Sequence, residues 1–263
     1  MPETTIYNEI GLGYNTTRRA DPYISDRLYA LLQPEQDKTY LDIGCGTGNY
    51  TIRLSQMGVR LVGVDPSETM LKEARTKSDQ VNWLHGYAEE IPLPDNSIDG
   101  AVATLTLHHW SDHETAFKEL ARVLKPGARA VFFTFTPEQE SGYWFNHFFP
   151  ALMQKGMQRS ISLETMNDLA TKAGLALVGT EKYFVQDDLQ DLFGYSGKHD
   201  PERYFNLDII KGISYFSIYA DAKELQDGLQ KLRECIDTDQ FAAIRDQYDN
   251  DLGDYLFVVF RKQ

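Results

Sequence analysis

The sequence predicts a doubly wound α/β domain, and three observations carry that expectation. The apolar run Thr39–Ile43 leads into three alternating glycines, Gly44, Gly46 and Gly48, and then into Tyr50, Ile52 and Leu54, which open a helix. Strand–turn–helix units of this kind hold ligands outside the carboxyl ends of their strands. Further strand candidates at Arg60–Asp65, 81–87, 98–107 and 130–135 alternate with helical segments. The stretch 98–107 is apolar through Ala101, Val102, Ala103 and Leu105, as a buried parallel strand should be.

The chain has 263 residues, 42% of them hydrophobic, enough for one large domain with a sizeable core. Its formal net charge of −13 disfavours contact with phosphate backbones or anionic lipid, so no nucleic-acid partner is expected. The two cysteines, Cys45 and Cys235, lie too far apart to suggest a disulfide framework or a Cys-rich zinc site. Met1-Pro2-Glu3-Thr4 begins no signal peptide and no apolar run approaches membrane-spanning length, so a soluble, cytoplasmic protein is expected. The oligomeric state is not readable from the sequence.

Before the first strand, Ile24, Leu28, Leu31 and Leu32 recur at helical spacing behind Pro22, which predicts an amphipathic helix over Pro22–Leu32. The glycine loop then decides between ligands. A dinucleotide fingerprint would need a glycine at position 49, where Asn49 stands. Asp42 sits inside the strand two residues before Gly44, and a carboxylate aimed at the loop suits an ammonium group and repels a pyrophosphate. Asp65 ends the second strand, where an acid can accept hydrogen bonds from ribose hydroxyls in either kind of site.

The string Asp42-x-Gly44-x-Gly46-x-Gly48 resembles motif I of the class I S-adenosylmethionine (SAM) methyltransferases. Residues 63–71, Gly-Val-Asp-Pro-Ser-Glu-Thr-Met-Leu, are similar to the second signature of that group; 86–99 and the Arg122-Val-Leu-Lys-Pro-Gly127 string resemble later ones. The match runs in order over about residues 40–136, within the UbiE-like small-molecule methyltransferases. It implies a Rossmann-like, seven-stranded, mostly parallel sheet with an antiparallel last strand beside the fifth and a helical insertion before it. SAM would lie across the ends of strands one, two and four. Asp42 and the loop Gly44, Cys45, Gly46, Thr47 and Gly48 would hold its methionine part. Asp65, followed by Pro66, would hold the ribose, Met70 and Ala88 would meet the adenine, and Leu105 would also touch the cofactor. Tyr87 stands where the family commonly has Asp; a phenol can stack or donate but cannot accept as a carboxylate does, which leaves that part to Glu89. Related enzymes often close an N-terminal segment over SAM with an aromatic and an arginine, a part that Tyr14 or one of the pair Arg18 and Arg19 could take here, Arg19 being the one singled out. The implied reaction is in-line methyl transfer to a small, partly apolar acceptor, leaving S-adenosylhomocysteine and needing no metal. A SAM-binding protein without transferase activity and a nicotinamide-dependent oxidoreductase are the alternatives.

His108, His109 and His113 invite a metal site, but only one helix would bring His109 and His113 together, and no Cys or carboxylate pair completes a set. His108, at the carboxyl end of a strand, is the candidate catalytic residue on the acceptor side, as a substrate-side polar group or a base; the alternative is a histidine satisfied within the loop. Ser111 and Glu114 have capping-box spacing for a helix starting near Asp112.

In the second half, Trp144, Phe145, Phe148 and Phe149 share a helix face before Pro150. A helix over 163–173 precedes a sixth strand, 175–185, and 254–260 is the seventh. Between these strands, 186–253 reads as helical. Leu225, Leu229, Leu232 and Ile236 share a face, with Asp221 and Glu224 spaced as a capping box. One domain over 1–263 is expected: an N-terminal lid and helix (1–38), a SAM-binding core (39–136), and an insertion (186–253) capping the substrate. Residues 192–205, rich in aromatics and ionisable groups, are expected to line its pocket.

Overall fold

The computed structural model describes residues 17–263, so Tyr14 lies outside the described residues. Seven strands form one sheet: β1 (Thr39–Ile43), β2 (Arg60–Asp65), β3 (Asn82–His85), β4 (Ile98–Thr104), β5 (Leu124–Thr134), β6 (Leu175–Tyr183) and β7 (Tyr255–Lys262). Their order is β3-β2-β1-β4-β5-β7-β6. The first five strands pair in parallel, and β7 runs antiparallel to both β5 and β6, as the resemblance implied. β1 sits between β2 and β4, with Asp42 opposite Gly63 and Val102. The residue that distinguishes the glycine loop is therefore held on a strand paired along both edges.

Helices α1 (Pro22–Leu32), α2 (Asn49–Gln56) and α3 (Glu68–Lys77) and then α4 (His113–Val123) connect or flank these strands. Along β5, alternate side chains join opposite cores. Phe133 packs with Ile24, Leu28 and Leu54, whereas Phe132 packs with Phe117, Leu120 and Phe260. This period of two is what a sheet covered on both faces requires.

Several boundaries differ from the sequence expectation for local reasons. β4 stops at Thr104 because Leu105 turns to φ +52, after which Leu107–His109 make a 3-10 turn. β5 starts at Leu124, before Pro126-Gly127, and absorbs that turn as an irregularity with Gly127 at φ +82. The cap of α4 is Asp112, whose carboxylate accepts from Thr115 N–H; Ser111 is bonded to Glu89 instead.

Beyond β5 lie α5 (Pro137–Ser141), α6 (Phe145–Phe148), α7 (Pro150–Met157) and α8 (Leu163–Lys172). The segment between β6 and β7 carries a 3-10 turn (Pro201–Phe205), α9 (Leu207–Gly212), a π-helical turn (Tyr215–Tyr219), α10 (Ala222–Asp237) and α11 (Phe241–Asp246). It shares one apolar cluster with the sheet. Trp144 meets Phe241 edge-on at 5.1 Å, Phe145 meets Tyr204 at 4.8 Å, and Tyr143 stacks on Tyr195 at 4.1 Å. This narrows one expectation. Of residues 192–205, Phe193 and Gly194 line a cavity, but Tyr195 and Tyr204 do not: both are buried, Tyr195 accepting from Trp144 N–H and Tyr204 donating to Gly194 O. Asp221 caps α10, but Glu224 does not complete a capping box. Its carboxylate accepts from the N–H groups of Ala151 and Leu152 at 2.8 and 3.0 Å, capping α7. The spacing marks a helix start, while the carboxylate finds a tertiary partner.

Two predictions follow from this packing. A Cβ on Gly228 of α10 would lie 2.3 Å from Phe149 Cε1 and 2.6 Å from the Phe148 carbonyl. Gly228→Ala should therefore lose about 1–3 kcal/mol by overpacking, read as a shift of the urea midpoint at unchanged slope. An unaltered midpoint would mean that α10 is not docked there. Glu140, fully buried on α5, accepts from Ser160 Oγ through one oxygen, and burial raises its pKa to about 8. The folded state thus holds a proton that an unfolded glutamate releases near its usual pKa of about 4.3. The stabilisation is complete below that value and is lost as pH rises towards 8, on the order of a few kcal/mol. Glu140→Gln should flatten the fall of unfolding free energy between pH 5 and 8; parallel curves would rule Glu140 out as the proton's holder.

Candidate functional site

The carboxyl ends of β1, β2 and β4 open into a cavity of about 620 Å³. The glycine loop forms one wall, and each glycine is there for a different reason. Gly44 has φ +70, and a Cβ would lie 2.0 Å from Thr106 Oγ1. Gly48, at φ +79, caps α2, and its Cβ would strike the Trp83 ring at 2.5 Å. Gly46, at φ +54, has nothing within 4 Å of a Cβ, because that side of it faces the cavity.

Two buried carboxylates support the loop. Asp65 holds its backbone, accepting from Gly46 N–H and Ser67 N–H, each at 2.8 Å. Burial raises Asp65 to about 6 against the opposing pull of those two N–H groups. Asp42 accepts from Thr51 Oγ1 at 2.6 Å through Oδ2, while Oδ1 has no partner among the described residues. Burial raises Asp42 to about 7, with the Asp65 charge adding and the Thr51 hydroxyl opposing. A buried acceptor without a donor costs about 1–3 kcal/mol, and more for a charge. The site is therefore short of one positive or donating group beside Asp42.

Most of the residues singled out in the sequence meet here. Asp42, Gly44, Cys45, Gly46 and Thr47 line the cavity from the loop. Asp65, Pro66 and Met70 line it from β2 and α3, and Tyr87, Ala88, Glu89 and Leu105 close the far side. Tyr87 is 43% exposed, its ring at right angles to that of His85 with the centroids 5.8 Å apart. Glu89 is more committed than expected. Oε1 accepts from Ser111 N–H and Oγ–H and from Asp112 N–H, at 2.6, 2.9 and 3.0 Å, which holds the start of α4 against the cavity.

Three expectations are corrected. Gly48 is turned towards Trp83 and does not line the cavity. Arg19 is exposed; its neighbour Arg18 lines the cavity in its place. His108 is buried away from the large cavity, its ring 3.8 Å from His109 and 4.9 Å from Phe135. Burial pushes the His108 imidazole well below the usual histidine range, so it is neutral near pH 7. His113 is spent on the Leu107 carbonyl at 3.0 Å.

The residues that sequence reasoning missed come from far away in the chain. Arg18 forks onto Asp191, Nε to Oδ1 at 2.5 Å and a terminal nitrogen to Oδ2 at 3.2 Å. Tyr50 donates to the same carboxylate at 3.1 Å. Leu192 N–H donates to Thr17 O, Gln190 N–H to Asp21, and Asn49 Nδ2 to Arg18 O. The N-terminal segment and the start of the insertion are thereby tied together above the glycine loop, and Arg18 and Asp191 both line the cavity. Arg159, in the loop after α7, also lines it. Only Arg18 carried a sequence signal, as one of an adjacent arginine pair in an acidic chain.

Residues 41–132 match the family model described as a methyltransferase domain. An uncharacterised methyltransferase of Mycobacterium tuberculosis is 43% identical over 112 residues, 43% of this chain and 46% of that protein. The demethylmenaquinone methyltransferase of Bacillus licheniformis is 37% identical over 112 residues, 40% of this chain and 48% of that one. The chain thus spans about half the length of these curated relatives. A solved structure from Anabaena variabilis, named "Putative methyltransferase from antibiotic biosynthesis pathway", aligns with 92% of this chain and 98% of its own, with a TM-score of 0.82 and 29% identity.

Proposed function

We propose that this protein, whose residues 41–132 match a methyltransferase domain, is a class I SAM-dependent enzyme that transfers a methyl group from SAM to a small, partly apolar acceptor. The observation that carries this reading is the unsatisfied Oδ1 of Asp42, buried under the glycine loop in a cavity of about 620 Å³. An amino-acid ammonium is the partner that such an oxygen lacks. The open side of Gly46 leaves room for the same part of the cofactor. A pyrophosphate beside Asp42 would be repelled, which disfavours a nicotinamide dinucleotide.

Asp42 would take the ammonium, Asp65 the ribose, and Met70, Ala88 and Tyr87 the adenine. Asp65 already accepts two backbone bonds, but a carboxylate has about four acceptor sites, so capacity remains. When bound, SAM supplies a methyl group on a positively charged sulfur. The protein's part is to hold the acceptor in line with that methyl and keep water out. Positioning of this kind accounts for roughly 7–11 kcal/mol in well-oriented reactions. The Arg18–Asp191 tie and the helices between β6 and β7 would make the roof that does so. The two relatives with substrate or pathway words in their names, the demethylmenaquinone enzyme and the antibiotic-pathway structure, support a small-molecule acceptor. The net charge of −13 argues against nucleic acid. No helix among the described residues is long and apolar enough to cross a membrane.

Incubation with SAM and pools of small metabolites should release S-adenosylhomocysteine with at least one pool; binding of both nucleosides without turnover on any pool would favour a binding protein. Binding itself should depend on pH. The ammonium needs an ionised Asp42, and that fraction rises with pH through about 7. Affinity for S-adenosylhomocysteine should be flat above that value and fall up to tenfold per unit below it. Asp42→Asn should bind roughly ten- to a hundredfold more weakly and with a flatter profile between pH 6 and 8, from the loss of a charged hydrogen bond. An identical profile in calorimetry would remove Asp42 from the ammonium site. Gly46→Val should leave the protein folded and abolish this binding, since the side chain fills cavity space at a φ of +54; retained affinity would show that the loop is not the cradle.

A further inference from the structure

Beside the large cavity lies a smaller chamber of about 40 Å³. Arg18, Leu105 and His109 line both spaces, so the two share a wall. The chamber's other walls are mainly aromatic: Phe135, Phe193, Tyr215 and Tyr255. His108, absent from the large cavity, belongs here.

Two polar atoms in these walls have no partner among the described residues, Nδ1 of His108 and the hydroxyl of Tyr215, although the residues are only 8% and 7% exposed. The Tyr255 hydroxyl, by contrast, accepts from Tyr195 N–H at 3.0 Å. Each unsatisfied group costs stability, and a fold that keeps two in one chamber is arranged for a third party. The backbone is unusual at both walls. Leu105 holds φ +52, a conformation costly for a residue with a side chain, and Tyr215 opens the π-helical turn. Strain and π-turns of this kind collect at ligand sites. Gly156 makes room for the Tyr215 ring, since a Cβ there would lie 2.0 Å from Cε1.

We infer that this chamber is the specificity subsite for the acceptor, and that it receives a hydroxyl on a flat aromatic molecule whose body lies in the large cavity. The inference rests on the methyl-transfer reading and names the substrate class for it. A chamber of about 40 Å³ has room for a hydroxyl and the edge of a ring, not for a whole substrate. A hydroxyl donates and accepts at once, which matches a neutral imidazole nitrogen on one side and a phenol on the other. A carbonyl could only accept. An ammonium could only donate. The aromatic walls favour a planar partner, edge to face. The hydroxyl held here is an anchor that selects the acceptor. His108 is therefore a residue of recognition, not the base on the reacting atom.

The test uses the full chain saturated with S-adenosylhomocysteine, with 2-naphthol and naphthalene as probes. Naphthol should bind at least tenfold more tightly than naphthalene, and should shift the Nδ1 resonance of His108 in protein labelled with nitrogen-15 histidine. His108→Asn identifies that resonance, and its amide, placed near the Nδ1 position, should keep part of the preference. Tyr215→Phe should erase most of the preference while leaving naphthalene and S-adenosylhomocysteine affinities unchanged. Equal affinity for the two probes in the unaltered protein overturns the inference, as does a Tyr215→Phe protein that loses both probes alike, the mark of a purely structural tyrosine. Either result with S-adenosylhomocysteine still bound leaves methyl transfer standing. Failure of S-adenosylhomocysteine to bind removes both.

Discussion

The buried pair Asp42 and Asp65 is the constraint on which the cofactor end of this molecule depends. Two carboxylates at the ends of adjacent parallel strands are costly to keep out of water, and burial raises both pKa values. Asp65 offsets that cost with two backbone N–H groups, one of them from Gly46, and so fixes the path of the glycine loop. Asp42 has only the Thr51 hydroxyl on one oxygen. The asymmetry divides the work: one acid builds the loop, and the other is left to be completed by a ligand. The left-handed glycines follow from the same arrangement, because the loop must pass close to Thr106 on one side and Trp83 on the other.

The segment between β6 and β7 obeys a different logic. Residues between β6 and β7 contribute few charges to the cavity and many rings to the core. Tyr195, Tyr204 and Phe216 are buried in the same cluster as Trp144, Phe145 and Phe149. Rings carry large buried area with few rotatable bonds, so a long insertion can dock without a sheet of its own. The polar tie at Arg18 and Asp191 then brings the N-terminal segment to the same place. Tyr50 of α2 joins that tie, which links this segment to the first turn after the glycine loop. The cap on α7 supplied by Glu224 of α10 is a second such link, between segments more than seventy residues apart.

What the sequence determined by itself was whatever depends on near neighbours. The period of two in the strands, the helical stripes, Pro22 at a helix start, and three glycines spaced around Asp42 all act over a few residues, and the fold class and the loop side of the cavity were legible from them. Family resemblance added the strand order, which no local pattern contains. Only the tertiary structure decided the matters that turn on distant partners. It placed Arg18 rather than Arg19 at the cavity, because Asp191 lies opposite the one and solvent opposite the other. Glu224 became a cap for α7 rather than for its own helix, and Glu89, expected at the adenine, was drawn to the N–H groups of Ser111 and Asp112. After Leu105 reverses the backbone, His108 lies outside the large cavity and in a chamber shared with Tyr215. A side chain's type and its neighbours in the chain set what it can bond to. Which groups the closed fold brings within about 3 Å of it is settled only when the whole sheet and its covering layers have packed.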